Sequence, residues 1–128
     1  MVARLPESAV KMWPGYVWQI DLDVGFDGVR PDWAGGAYLV KCDVYYGATV
    51  VNLTIGSGIT ITERSVPGTI TNPSSTPINY SIPIIRLTDL QTALFGADNE
   101  PSYLIAVSPA GGDYYPILQG PFQIEQTP

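Results

Sequence analysis

Thr88-Asp89-Leu90-Gln91-Thr92-Ala93-Leu94-Phe95-Gly96 is the one clear helical stretch in a chain that otherwise reads as alternating strands. Thr88 stands at a cap position and Gln91 follows three residues on, which is the spacing of a capping box. Gly96 supplies a stop. The stretch predicts one short helical turn near 88–95, with Leu90, Ala93 and Leu94 packed beneath the sheet. It follows a strand over Ile78–Leu87 that carries Pro83. Proline cannot donate to a ladder, so that strand is expected at a sheet edge or with a bulge. Downstream lie two apolar runs, Tyr103–Val107 and Tyr114–Gln119, joined through Ala110-Gly111-Gly112-Asp113 as a glycine-rich hairpin, and then the closing segment Gly120-Pro121-Phe122-Gln123-Ile124.

Upstream, the same alternation repeats. Tyr16, Trp18, Ile20 and Leu22 share one face of a half-buried strand, with Gln19 and Asp21 on the other. Tyr38, Val40, Cys42, Val44 and Tyr46 form the inward set of a second strand over Ala37–Tyr46. Gly47 breaks it, and Thr49–Ile55 returns with Val51, Leu53 and Ile55 inward, as a hairpin would. Gly56-Ser57-Gly58 turns into the β-branched run Ile59–Thr62. Pro67–Pro77 is rich in Pro, Thr and Ser, and reads as a long exposed loop with a short strand at Gly68–Thr71. The count is about seven or eight strands, and their even spacing with turn signals predicts an all-β sandwich. Residues 1–14 read as an N-terminal arm ending at the Trp13-Pro14-Gly15 break, and residues 15–128 as a single domain. The arm carries apolar points at Leu5, Val10, Met12 and Trp13 without a regular period.

Composition narrows the function. Charged residues are 14% of the 128-residue chain, against about 25% in an ordinary soluble domain. A surface so poor in charge is expected to be covered in an assembly. The net charge is −6 and the six Lys and Arg are scattered, which argues against nucleic acid as the partner. There is no histidine, so the commonest general base and metal ligand is missing. The one cysteine, Cys42, cannot form an internal disulfide, and its place in the inward set makes it a core residue rather than a reactive thiol. Met1–Pro14 has no apolar run of signal-peptide length, and no stretch approaches the ~20 apolar residues of a membrane helix.

Several stretches, taken in order, carry a resemblance. They are Tyr16-Val17-Trp18, Asp32-Trp33-Ala34-Gly35-Gly36-Ala37, Val51-Asn52-Leu53-Thr54 and Gly58-Ile59-Thr60-Ile61, then Leu87-Thr88-Asp89-Leu90-Gln91-Thr92-Ala93-Leu94, Tyr103 and Leu118-Gln119-Gly120. Together, over residues 15–125, they resemble the motifs of small immunoglobulin-like β-sandwich domains of tailed-bacteriophage virion proteins. That family includes the N-terminal domain of baseplate upper proteins. The helical stretch is the best match, with Phe95 where the family has leucine. The resemblance implies a non-enzymatic structural protein of the virion, an immunoglobulin-like module connecting tail, baseplate or fibre components, with other virion proteins as partners in a multi-copy particle. A capsid decoration protein has the same fold and length.

No constellation for catalysis stands out, and no cofactor or metal is expected. Asp21, Asp23, Asp27 and Asp32 gather acids, but their spacing fits no standard calcium loop. A carbohydrate-binding module is a third reading; Trp33 and Tyr45 are its aromatic platform. The expected interface residues are Leu5, Val10, Met12, Trp13 and Trp33, with Trp13 as anchor. On this reading the arm reaches a neighbour, and its removal leaves the domain folded.

Overall fold

The computed structural model describes residues 4–24, 31, 33, 36, 38–66, 78–95, 100–109 and 112–125. It is mostly β, with one curled seven-stranded sheet. The chain enters through a four-residue helical turn, α1 (Glu7–Val10), and a two-residue strand, β1 (Lys11–Met12). The sheet is built from β2 (Trp18–Asp21), β3 (Tyr38–Tyr46), β4 (Thr49–Ile55), β5 (Gly58–Val66), β6 (Ile78–Leu87), β7 (Ser102–Pro109) and β8 (Tyr115–Pro121). A second short helix, α2 (Asp89–Thr92), follows β6, and β9 (Gln123–Ile124) ends the described chain. The expected strand at Gly68–Thr71 lies outside the described residues, as does the expected helix stop at Gly96.

The order across the sheet is β2-β6-β5-β4-β3-β7-β8. Antiparallel ladders join β2, β6 and β5, and others join β4, β3, β7 and β8. Between the two groups there are only two parallel residue pairs, Thr54↔Gly58 and Ile55↔Ile59. The link is a tight reversal that turns back on itself, so that the two strands run parallel. Thr54 and Ser57 exchange backbone hydrogen bonds at 3.0 and 2.8 Å, and Gly58 adopts φ +92. A Cβ at Gly58 would stand 2.5 Å from Leu53 Cδ2, so both the conformation and the space call for glycine. β1 pairs in parallel with β9, Lys11 opposite Gln123 and Met12 opposite Ile124.

One core serves both groups. Trp18, Ile20, Ile59, Ile85 and Leu87 come from the first; Val40, Cys42, Val44, Leu53, Tyr103, Ile105 and Val107 come from the second. The period-2 pattern of β3 is realised as read, with Val40, Cys42 and Val44 buried. Two strands depart from the reading. Tyr16 lies before β2 and is exposed, while Ile55 at the reversal faces outward. Around Phe122 the aromatic rings converge. Trp18 meets it edge-on at 5.0 Å, Tyr103 at 5.4 Å, and Phe95 at 6.4 Å.

The strand that carries Pro83 is not an edge strand, because β6 runs between β2 and β5. The reason it is tolerated is local. A strand residue's N–H and C=O point to the same side. The Pro83 carbonyl accepts from Leu22 N at 2.8 Å, so its nitrogen also faces the β2 side. There β2 has already ended at Asp21, opposite Ile84. The missing donor therefore costs no ladder bond, and the pairing of Pro83 with Ile61 of β5 is undisturbed. The true edge strand β8 carries Pro116 and Pro121 and a register shift opposite Ile105/Ala106, features that blunt an edge.

The N-terminal arm is integrated with the domain. Met12 is buried in the core, and Leu5, Ala9 and Val10 pack against it. Leu5 N donates to Tyr103 Oη at 2.8 Å, and Ala9 O accepts from the Trp18 indole at 2.8 Å. Met12 thus belongs to the chain's own core rather than to an interface. Removing residues 1–13 is expected to destabilise the domain instead of leaving it intact. Met12→Ala should cost about 2–5 kcal/mol in denaturant unfolding, whereas Trp13→Ala should change stability by no more than about 0.5 kcal/mol.

Cys42 is a core residue and a free thiol. Burial first, and the Asp43 carboxylate second, push it up from an ordinary 9.0 to about 12. The folded chain therefore holds the neutral thiol where the unfolded chain ionises. Stability tied to Cys42 is intact below pH 9.0 and declines as pH rises toward about 12. Wild type should lose stability in alkali more steeply than Cys42→Ala, measured by urea unfolding. Ellman's reagent should label the thiol only after denaturation.

Candidate interaction surface

α2 is built as the sequence foretold but faces the other way. Thr88 Oγ1 accepts from Gln91 N at 3.2 Å, and Gln91 Oε1 accepts from Thr88 N at 2.8 Å, closing the capping box. Leu90, Ala93 and Leu94, expected beneath the sheet, are exposed. Thr92 and Phe95 are buried in their place. The two sets lie on different faces of one turn, so helical spacing alone chose neither.

Thr92 decides the orientation. Its hydroxyl donates to the Tyr16 carbonyl at 2.7 Å and accepts from Gly15 N at 3.1 Å. Both partners sit in a tight turn, Trp13-Pro14-Gly15-Tyr16, closed by Tyr16 N donating to Trp13 O at 3.0 Å. Pro14 in the second position and Gly15 at φ +87 in the third are the residues a type II turn demands. One buried hydroxyl thus satisfies two backbone groups 76 and 77 residues away. Phe95, three residues on, packs against the Tyr46 ring at 4.6 Å and seats the same face.

The consequence is a set of apolar side chains exposed on α2 and on the turn tied to it. Leu90 is 78% exposed, Leu94 61%, Tyr16 54%, Val17 47% and Trp13 39%. None carries a charge; Asp89, in the first turn of α2, stands beside them. These five large apolar side chains stand on a turn and a capped helix joined through Thr92, and exposed apolar groups of this size are what a partner covers. Isolated exposed leucines would need no account, but neighbouring ones do.

The five sequence-expected interface residues divide. Trp13 is exposed. Leu5 and Val10 are half-buried against the core, and Met12 is inside it. Trp33 is a correction: its side chain is buried, T-shaped to Tyr38 at 6.0 Å, and its backbone N–H donates to Ser81 Oγ at 3.0 Å. It is neither a contact residue nor a sugar platform. Tyr45 remains outward and lines an open groove with Leu104 and Gln119. Of the acidic set, Asp27 and Asp32 lie outside the described residues. Among the described residues there is no cluster of His, Cys, Asp and Glu able to hold a metal, and no helix long and apolar enough to cross a membrane.

Comparison with protein families, with curated proteins and with solved structures gives no match to this chain.

The patch is separable from folding. Leu90→Ser with Leu94→Ser should leave the unfolding midpoint nearly unchanged, within about 0.5 kcal/mol. Thr92→Val should cost about 1–3 kcal/mol because it strands the backbone groups of Gly15 and Tyr16. Paired urea titrations distinguish the two.

Proposed function

We propose that this chain is a non-enzymatic structural protein of a tailed-bacteriophage virion, an immunoglobulin-like module that attaches tail, baseplate or fibre components. The observation that carries the reading is the exposure of Trp13, Tyr16, Val17, Leu90 and Leu94 on two elements that Thr92 ties together. A partner can cover such a surface without reordering it, which lowers the cost of association. Low charge content supports the same conclusion, because surfaces that spend their life in contact need few charges to stay in solution.

The strand order supports the immunoglobulin-like part. β2-β6-β5 forms one antiparallel group and β4-β3-β7-β8 the other. The two sheets of an immunoglobulin-like sandwich likewise hold three and four antiparallel strands, whereas here two parallel pairs keep the groups in one sheet. The parallel pairing of the first short strand with the last adds a strand beside β8's continuation. The capping box at α2 is the feature on which the sequence resemblance leans most, and it is formed.

Quantitative mass spectrometry of purified particles tests the reading. The chain is expected at a fixed copy number, about a dozen for a tail or baseplate position and hundreds for a shell clamp, as the symmetry of closed assemblies requires. Leu90→Asp with Leu94→Asp should fold normally yet be missing from particles. Absence of the wild-type chain from particles, or normal incorporation of the double variant, overturns the assignment.

A further inference from the structure

We propose that the outward face of β3 joins two copies of this chain in a twofold dimer, sheet face against sheet face. The side chains that alternate outward along β3 are Leu39, Lys41, Asp43 and Tyr45, because Val40, Cys42 and Val44 point into the core. Leu39 and Tyr45 are exposed. Asn52 of β4 and Leu104 of β7 flank Asp43 on its two sides, and the exposed Val50 stands opposite Tyr45.

Charge singles this face out. Across β4, β3, β7 and β8 every residue is uncharged except Lys41 and Asp43. The two are neighbours at the middle of β3, with an apolar side chain beyond each. Lys41 Nζ lies 3.8 Å from Asp43 Oδ2, too far for a hydrogen bond, and 4.8 Å above the Tyr114 ring. Ring and carboxylate hold the ammonium over the sheet, and its N–H donors stay open to a closer acceptor.

The order apolar, plus, minus, apolar reads the same in reverse with its charges exchanged. A second copy turned by a half-rotation about an axis crossing β3 at Cys42 sets Lys41 against the other copy's Asp43. The same rotation sets Leu39 against the other copy's Tyr45. An isologous contact asks for such self-complementarity. Packed sheets cross at about 30°, which displaces residues beside the axis least, so the charges keep their registry. A partner of another sequence has to match this order and spacing, whereas a second copy already carries it. The face is four strands wide and about seven residues long, roughly 450 Å² per copy. Two such faces reach only the lower bound of specific interfaces, so the dimer is weak. Its ion pairs fix register and reject like-charged faces more than they add affinity.

Sedimentation equilibrium of the full chain tests this, with urea unfolding to check that each variant is folded. Between about 10 µM and about 1 mM the weight-average mass should rise from that of one chain toward that of two. Lys41→Asp makes the centre of the face wholly acidic and Asp43→Lys makes it wholly basic. Each variant alone should self-associate about tenfold or more weakly than the wild type. Mixed together, the two should associate with each other. Lys41→Asp and Asp43→Lys in one chain should regain self-association. Tyr45→Lys, at an exposed position, tests the face independently of these charges and should abolish association at an unchanged unfolding midpoint. Three results overturn the proposal. The wild type stays monomeric, a single variant or Tyr45→Lys associates as the wild type does, or neither the mixture nor the double variant recovers.

Discussion

The edge-on contact between the Trp18 indole and the Phe122 ring, 5.0 Å between centroids and 89° between planes, holds the structure in its curl. β2 and β8 are opposite ends of the seven-stranded order, and Phe122 directly follows β8. Their meeting brings the far edges of the sheet over one core. Each ring is itself pinned. The Trp18 indole donates to Ala9 O, and Phe122 N donates to Pro101 O at 2.8 Å. Tyr103 and Phe95 then rest on Phe122, and Tyr46 on Phe95. The arm, the last hairpin and α2 all find their places from that one ring. Edge-to-face geometry suits this task because it fixes angle as well as distance.

Much of this was legible where the cause is local. The alternation of Trp18, Ile20 and Leu22, and of Val40, Cys42 and Val44, is enough to tell inside from outside, and both sets are buried. Thr88 and Gln91 close the cap that their spacing announces. Legibility ends where a partner distant in sequence decides. Leucine outranks threonine in any hydropathy reading, yet Thr92 goes inside because Gly15 and Tyr16 need its hydroxyl. Pro83 is compatible with a central strand only because β2 stops one residue short of it. Trp33 and Met12 sit beside chain breaks, which suggests exposure, but Ser81, Tyr38 and β9 receive them.

The same physics explains how the surface is organised. A domain of this size has more apolar side chains than its core can take, and something must remain outside. Here part of the remainder lies on α2 and the turn beside it, and the rest on the outward side of β3, β4 and the start of β8. The helix is short, but it is fastened at both ends, by its cap and by Phe95. A patch carried on such an element keeps its shape when it is covered. The groove on β3, β7 and β8 is of another kind: mixed in polarity, floored by a sheet, and bordered by the arm.

The parallel pairing of β1 with β9 has a kinetic side. Among the described strands, β1 is the first to leave the ribosome and β9 the last. Met12 and Trp18 therefore emerge long before Ile124 and Phe122, the residues that cover them, exist as folded neighbours. Until β9 emerges, the nascent chain carries an open sheet with its aromatic core unsealed, a state that invites pairing with other chains. Closure thus waits for β9, and β8, made just before it, brings a proline-bearing, irregular edge to the finished fold.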